Sequence, residues 1–315
     1  MSLNVALLGI GRMGRNHLRV LSILKDVEIT NIYDVNESEL QKLAAQYQLP
    51  YTTNINDAIE GADAVVIVTP TSTHYEYFKL CVGKVKNVFI EKPLATSFEQ
   101  ALEIKALATE HDMFVQCGFI ERFNPVVAGL KQVLAHEKVI NADFTRTNRL
   151  SSRITDVDVI LDLMIHDLDL ALYLNGPIKS VVAYGKKEHG LVAFASAMLH
   201  HENGALSRVL ASRMTEKKIR SIQVTTDNSY IDVELVRKEL LVHKQSTVSQ
   251  EVGKPYVVSS LEQQLEVKPQ EALLVESQAF IAACLGQVDA DLPDIDSGVE
   301  SLRISKLISE QIENA

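Results

Sequence analysis

The sequence predicts an α/β protein: a doubly wound parallel sheet first, then an α+β domain built on a mostly antiparallel open sheet. Three observations carry this. Short apolar runs alternate with amphipathic stretches over the first 120 residues of 315. A glycine-rich turn directly follows the first run. Beyond residue 120 strand-like runs follow one another with only turns between them. Buried strands alternating with helices read as βαβ units, and right-handed crossovers make a doubly wound sheet.

In chain order, strands are expected at 4–8, 28–33, 64–69, 88–90 and 113–117, with helices at 12–25, 37–47, 73–82 and 98–111. A helix follows Asn124-Pro125, since Pro suits a first helical turn, and another spans 157–174. Strand-like runs come next at 180–186, 191–201, 205–214, 221–233 and 240–245. Glu202-Asn203-Gly204 and Thr226-Asp227-Asn228-Ser229 read as turns. Helical patterns return at 270–284 and 298–314. The division expected is 1–120 for the parallel-sheet domain and 121–315 for the α+β domain.

Composition narrows the function. Hydrophobic residues make up 46% and charged residues 23%, as in ordinary globular chains. A net charge of −10 argues against nucleic acid or an anionic membrane as partner. No run is long and apolar enough for a membrane span, and the first residues carry no export signal. Three scattered cysteines form neither a disulfide framework nor a metal knuckle. A cytoplasmic location is expected.

Gly9-Ile10-Gly11-Arg12-Met13-Gly14 is G-x-G-x-x-G between a strand and a helix. Gly9 permits the tight turn, Gly11 lets the backbone approach a pyrophosphate, and Gly14 lets helix and strand pack closely. The helix N-terminus then offers amides to the phosphates. Asp34 follows Gly14 by 20 residues at the end of the second strand. Its carboxylate suits a ribose diol and repels a 2′-phosphate, so NAD is expected rather than NADP. The competing reading is a structural turn with Asp34 as a helix cap. Thr69, Pro70 and Thr71 end the third run and are cofactor-contact candidates, with His74 beside them. Val88-Phe89-Ile90-Glu91-Lys92-Pro93 ends another strand on charge. That brings Glu91 and Lys92 to the crevice, where a Lys can stabilise negative charge on a substrate oxygen.

Asp162 and His166 stand at i and i+4 in the 157–174 stretch, on one face of an α-helix. A carboxylate near a histidine favours its protonated form and orients it, which suits a base taking an alcohol proton. The acidic residues nearby invite a metal reading, but hydride chemistry needs none and no metal is expected. The plain alternative is a solvated helix face.

The Gly9–Gly14 turn, Thr69-Pro70-Thr71-Ser72-Thr73-His74, Glu91-Lys92-Pro93 and Asp162-Leu163-Met164-Ile165-His166-Asp167 together resemble the Gfo/Idh/MocA oxidoreductases, over nearly the whole chain. The resemblance implies an N-terminal Rossmann domain, a cis bond before Pro93 and a homodimer or homotetramer. It makes Lys92 the residue at the substrate oxygen, His166 the acid/base and Asp162 its acidic partner. Gly118-Phe119-Ile120-Glu121-Arg122-Phe123-Asn124-Pro125 is similar to the branch that oxidises C3 of UDP-N-acetylglucosamine. Arg122 and Asn124 are accordingly substrate candidates. So are Arg146, Arg149 and Arg153, since guanidiniums read phosphate oxygens; the alternative is ordinary surface arginines. A sugar or nucleotide sugar is the expected substrate. The alternatives are an inositol- or glucose-type polyol, a dinucleotide-binding regulator without turnover, and a glycosidase that uses NAD transiently.

Overall fold

The first sheet is parallel throughout, because every strand that enters it is followed by a helical return. The computed structural model describes the backbone of residues 2–149, 157–249, 257–287, 289 and 291–314, and the side chains of all of these but 245–249 and 257–260. In chain order the elements are β1 (Leu3–Leu8), α1 (Arg12–Leu21), β2 (Val27–Tyr33), α2 (Glu37–Tyr47), β3 (Tyr51–Thr52), α3 (Ile55–Ile59), β4 (Ala64–Ile67), α4 (Thr71–Cys81), β5 (Asn87–Glu91), α5 (Phe98–Glu110) and β6 (Phe114–Gly118). There follow α6 (Pro125–Leu134), β7 (Val139–Thr147), a π-helical turn (Ile160–Met164), α7 (Ile165–Asn175), β8 (Ile178–Glu188), β9 (Leu191–His201), β10 (Leu206–Ser212), β11 (Ile219–Thr226), β12 (Ser229–Glu234), β13 (Glu239–Ser249), β14 (Val257–Gln264), α8 (Ala272–Cys284) and α9 (Ile295–Glu313).

By internal contacts the chain forms two units. One holds residues 1–120 and 271–303; the other holds 121–270 and 304–315. The stretch 271–303, which the sequence reading placed in the second domain, therefore belongs to the first. Phe280 of α8 meets Phe89 edge-on at 5.6 Å and stacks on Phe114 at 6.2 Å. Cys117 N–H donates to Pro293 O at 2.8 Å.

In the first unit the strands run β3-β2-β1-β4-β5-β6. β1 is central, between β2 and β4, and nearly all its side chains are buried. That is why it reads as an unbroken apolar run. Strand order reverses between β1 and β4, so the crevice opens at their carboxyl ends. The turns after β1, β2, β4 and β5 leave the sheet at that edge. Asn36 caps α2, and Ser97 caps α5. The short pair β3 and α3 was not expected.

The second unit is an eight-stranded sheet, β14-β13-β12-β11-β7-β10-β9-β8. β7 pairs parallel with β10; the other pairs are antiparallel. β7 and β14 were not among the expected strands. In β7 the interior side chains alternate with Asn141, Asp143 and Thr145, so its apolar signal is diluted. Val126 and Leu130 of α6, Leu168 of α7 and Ile304 and Ile308 of α9 close one core on the sheet's inner residues, Phe144 and Ile222 among them.

The 157–174 stretch begins as a π-helical turn before α7 takes over, not as one α-helix. Such turns are rare and recur at functional sites. No helix among the described residues is long and apolar enough to cross a membrane.

Candidate active site

The phosphate turn is built by two glycines that accept no side chain and one that faces open space. Gly9 has φ +97, and a Cβ there would lie 2.6 Å from Val68 O. A Cβ on Gly14 would lie 2.0 Å from Gly9 O. A Cβ on Gly11 would meet nothing within 4 Å. Gly11 also starts α1 without a side-chain cap, and the first turn of α1 holds no acid. The helix N-terminus thus offers its amides and its positive dipole end to an anion, and the cradle at Gly11 fits a pyrophosphate. Arg12 is exposed beside it and Met13 half-buried. Asp34 follows β2 and accepts from Ile10 N–H and from Asn36 N–H, both at 2.9 Å. The acid is therefore fixed to the phosphate turn as well as to the start of α2.

A Gly11→Ala variant should fold with an unchanged Tm and lose at least about tenfold in NADH affinity, because the methyl occupies only the cradle. Fluorescence titration with NADH, beside a thermal melt, checks this.

At the next strand end, Thr73 Oγ1 lies 2.7 Å from Thr69 Oγ1 and 2.8 Å from Pro70 O. Thr71 opens α4. His74 is 1% exposed, with Nδ1 2.9 Å from Pro93 O and Nε2 2.9 Å from Thr69 O. Both ring nitrogens of His74, the expected cofactor contact, thus face carbonyls of the protein. His74 ties the turn after β4 to the turn that carries Lys92. The Lys92-Pro93 bond is cis. Lys92 is half-buried just past β5. Glu91 faces inward, with Oε1 2.8 Å from His17 Nε2 of α1 and Oε2 accepting from Lys92 N–H at 3.1 Å. These two contacts tie Glu91 to α1 and to the Lys92 amide.

Burial pulls the His74 pKa below its ordinary value, against the two carbonyls that favour the cation. His201, buried between Gly176 O and Ser207 Oγ, is shifted the same way, again chiefly by burial. Each protonates more readily unfolded than folded. Their contribution to stability is therefore whole above about pH 6.5 and lost as pH falls below it. Thermal melts across that range should show Tm declining on the acid side, less steeply in His74→Gln.

In the second unit Asp162 lies in the π-helical turn and His166 in the first turn of α7. Asp162 Oδ2 accepts from Arg213 Nη2 at 2.9 Å. Arg213, just past β10, also donates to Val157 O and Asp158 O. It clamps the entry to the turn that presents Asp162, and the sequence reading did not single it out.

The expected phosphate readers are mostly committed elsewhere. Arg146 on β7 is 1% exposed. It donates bidentately to Asp167, from Nε at 2.9 Å and Nη2 at 2.8 Å, and through Nη1 to Glu121 at 2.8 Å. Arg220 Nη1 reaches the same Glu121 oxygen at 3.4 Å. Burial opposes the Arg146 charge, but Asp167 and Glu121 outweigh it and raise its pKa. Burial also opposes ionisation of Glu121, yet Arg146 holds that carboxyl below the usual range. Arg146 is thus part of a buried ion network and not a phosphate reader. Arg122 donates to Asp169 from Nε at 2.9 Å and Nη2 at 2.6 Å, and lies over the Tyr173 ring. Asn124 caps α6 through Val126 N–H and donates to Leu235 O. Arg149 is exposed and paired with Glu216. Arg153 lies outside the described residues. Among the described residues no cluster of three His, Cys, Asp or Glu is placed to hold a metal.

A parallel sheet with an uncapped glycine turn after its first strand and an acid fixed beside that turn defines a dinucleotide-binding protein. Residues 3–119 match the oxidoreductase family with an NAD-binding Rossmann fold, and residues 137–231 match the GFO/IDH/MocA C-terminal domain. The chain belongs to the Gfo/Idh/MocA family of oxidoreductases. It is 25% identical over 305 residues to UDP-N-acetylglucosamine 3-dehydrogenase of Acidithiobacillus ferrooxidans, a match covering 96% of this chain and 94% of that one. It is 28% identical over 245 residues to scyllo-inositol 2-dehydrogenase (NAD(+)) of Bacillus subtilis, covering 71% and 72%. A solved structure of the Acidithiobacillus enzyme shares the fold, with a TM-score of 0.89 at 24% identity over 100% of this chain and 99% of that one.

Proposed function

We propose that this oxidoreductase is an NAD-dependent dehydrogenase acting on a secondary hydroxyl of a nucleotide sugar, with C3 of UDP-N-acetylglucosamine as the site of oxidation. The uncapped cradle at Gly11, with Asp34 anchored to it, carries the dinucleotide reading. The end-to-end similarity to the Acidithiobacillus enzyme supports the substrate. In this reading the turn from Gly9 to Gly14 and the start of α1 hold the pyrophosphate, and Asp34 binds the ribose diol. Bound NAD supplies the hydride acceptor. Lys92 holds the substrate oxygen and stabilises the negative charge that develops on it. His166 takes the hydroxyl proton, and Asp162, steadied by Arg213, keeps the imidazole oriented. The reverse direction uses the same groups to reduce a ketone. A cytoplasmic homodimer or homotetramer belongs to the same reading.

A second reading is an inositol- or glucose-type polyol as substrate. It is favoured by the commitment of Arg146 and Arg122 to buried acids, which removes two of the groups expected to read a diphosphate.

The test is NADH formation, followed by absorbance with a carbonyl trap. NAD is supplied with UDP-N-acetylglucosamine, N-acetylglucosamine, inositol or glucose. Signal from the nucleotide sugar alone upholds the first reading; signal from free polyols alone replaces it with the second. Asp34→Ala should lower the NAD over NADP preference in kcat/KM by at least about tenfold, since a 2′-phosphate no longer meets a carboxylate. An unchanged ratio would overturn the assignment of NAD through Asp34.

A further inference from the structure

We propose that His17 and Glu91 are positioning residues for Lys92: a buried hydrogen-bonded pair by which the phosphate-binding helix sets the backbone from which the lysine projects. This rests on the reading of Lys92 as the group at the substrate oxygen.

The Glu91 carboxylate uses its two oxygens on two different partners. Oε2 accepts the N–H of Lys92 itself at 3.1 Å, and Oε1 lies 2.8 Å from His17 Nε2. A carboxylate accepts and a protonated ring nitrogen donates, so this pair matches one tautomer of His17. The His17 side chain is 2% exposed and that of Glu91 12%. The ring also packs on Phe89 with centroids 5.2 Å apart, so its orientation is fixed from two sides. β6 leaves room for the carboxylate by placing Gly118 behind it: a Cβ there would lie 3.0 Å from both Cα and Oε2 of Glu91.

His17 sits in α1, whose N-terminus is the phosphate turn. The chain of contacts therefore runs from the cofactor-binding helix, through one imidazole and one carboxylate, to the Lys92 amide. On the far side of the same turn His74 holds Pro93 O. The two residues that set the Lys92 backbone are thus gripped by two buried histidines, from α1 and α4. A buried polar pair with one member nearly inaccessible is a costly way to fill space, and apolar residues could do that alone. Its geometry instead specifies one backbone position, and small displacements of a reacting group cost rate steeply.

The test uses the full chain and four variants: Glu91→Ala, Glu91→Gln, His17→Ala and Lys92→Ala. Amide hydrogen exchange over residues 89–95 is measured without substrate. NADH affinity is measured by fluorescence, and kcat and KM with NAD and UDP-N-acetylglucosamine. Glu91→Ala should raise exchange at Lys92 by about tenfold or more, because its amide loses its acceptor. Its kcat should fall by about thirtyfold, with KM and NADH affinity within about threefold. Glu91→Gln should restore all of these, since an amide oxygen still accepts from Lys92 N–H and its NH2 can donate to the other tautomer of His17. His17→Ala should fall between them.

Unchanged exchange in Glu91→Ala overturns the proposal whatever the substrate. So does a Glu91→Gln as impaired as Glu91→Ala, or a loss of kcat no larger than the loss of NADH affinity. Lys92→Ala separates the two levels. If it turns over normally, the reading of Lys92 fails; if it is inactive while Glu91→Ala is normal, only the positioning role fails.

Discussion

Replacing Lys92 with alanine is expected to lower kcat by about a thousandfold while leaving NADH affinity within a few-fold. Lys92 follows the Glu91 end of β5, at the carboxyl edge of the parallel sheet where cofactor and substrate bind in this architecture. In the proposed mechanism its charge acts on an oxygen that becomes more negative as the reaction proceeds. Its removal therefore weakens the transition state more than the ground state, and kcat and kcat/KM should fall together. The proposed pyrophosphate cradle lies at Gly9–Gly14 and does not include the lysine. Equilibrium NADH binding and steady-state turnover on one preparation check both halves. His166→Ala should lose about 10²- to 10⁴-fold in turnover by the same logic, as the group proposed to carry the proton. Near-normal turnover in either variant would mean the chemistry lies elsewhere.

Replacing Arg146 with leucine is expected to cost about 3–5 kcal/mol of stability, a drop in Tm on the order of 10 °C. Arg146 satisfies both oxygens of Asp167 and one of Glu121, all of them buried. Leucine leaves two carboxylates without this cation, with Arg220 still 3.4 Å from Glu121. Arg146→Lys should recover part of the loss, because an ammonium supplies the charge without the bidentate fork. The same variant separates a structural from a ligand-reading arginine. A lower Tm with KM little changed is expected from the buried network. A raised KM with Tm intact would restore Arg146 to the substrate.

How far these roles were legible follows from the distance along the chain between the groups concerned. The phosphate turn was readable because its glycines are local: Gly9, Gly11 and Gly14 do their work within six consecutive residues, and the strand before and helix after them announce the context. Asp34 could be singled out because it sits at a fixed offset from the turn, just past the end of β2. The arginines were not. Arg146 looks like a surface phosphate reader beside Arg149 and Arg153, yet its partners lie 21 and 25 residues away. Arg213 meets Asp162 across 51 residues, and His17 meets Glu91 across 74. Nothing in the local pattern of His17 marks it as other than a core-facing helix residue.

The sequence by itself determined the alternation of strand and helix in the first 120 residues, the glycine turn, the run of antiparallel strands that follows, and with these the class of chemistry. Periodicity and backbone constraint act between near neighbours, and near neighbours are what a sequence displays. The tertiary structure alone decided that 271–303 packs with the first unit, that β7 runs inside the second sheet with a parallel partner, and that the helix bearing Asp162 opens as a π turn. It alone decided which charges are buried and which stay open to a ligand. A charge is buried only when an opposite charge arrives from elsewhere in the chain to compensate its lost hydration, and that arrival is a property of the fold.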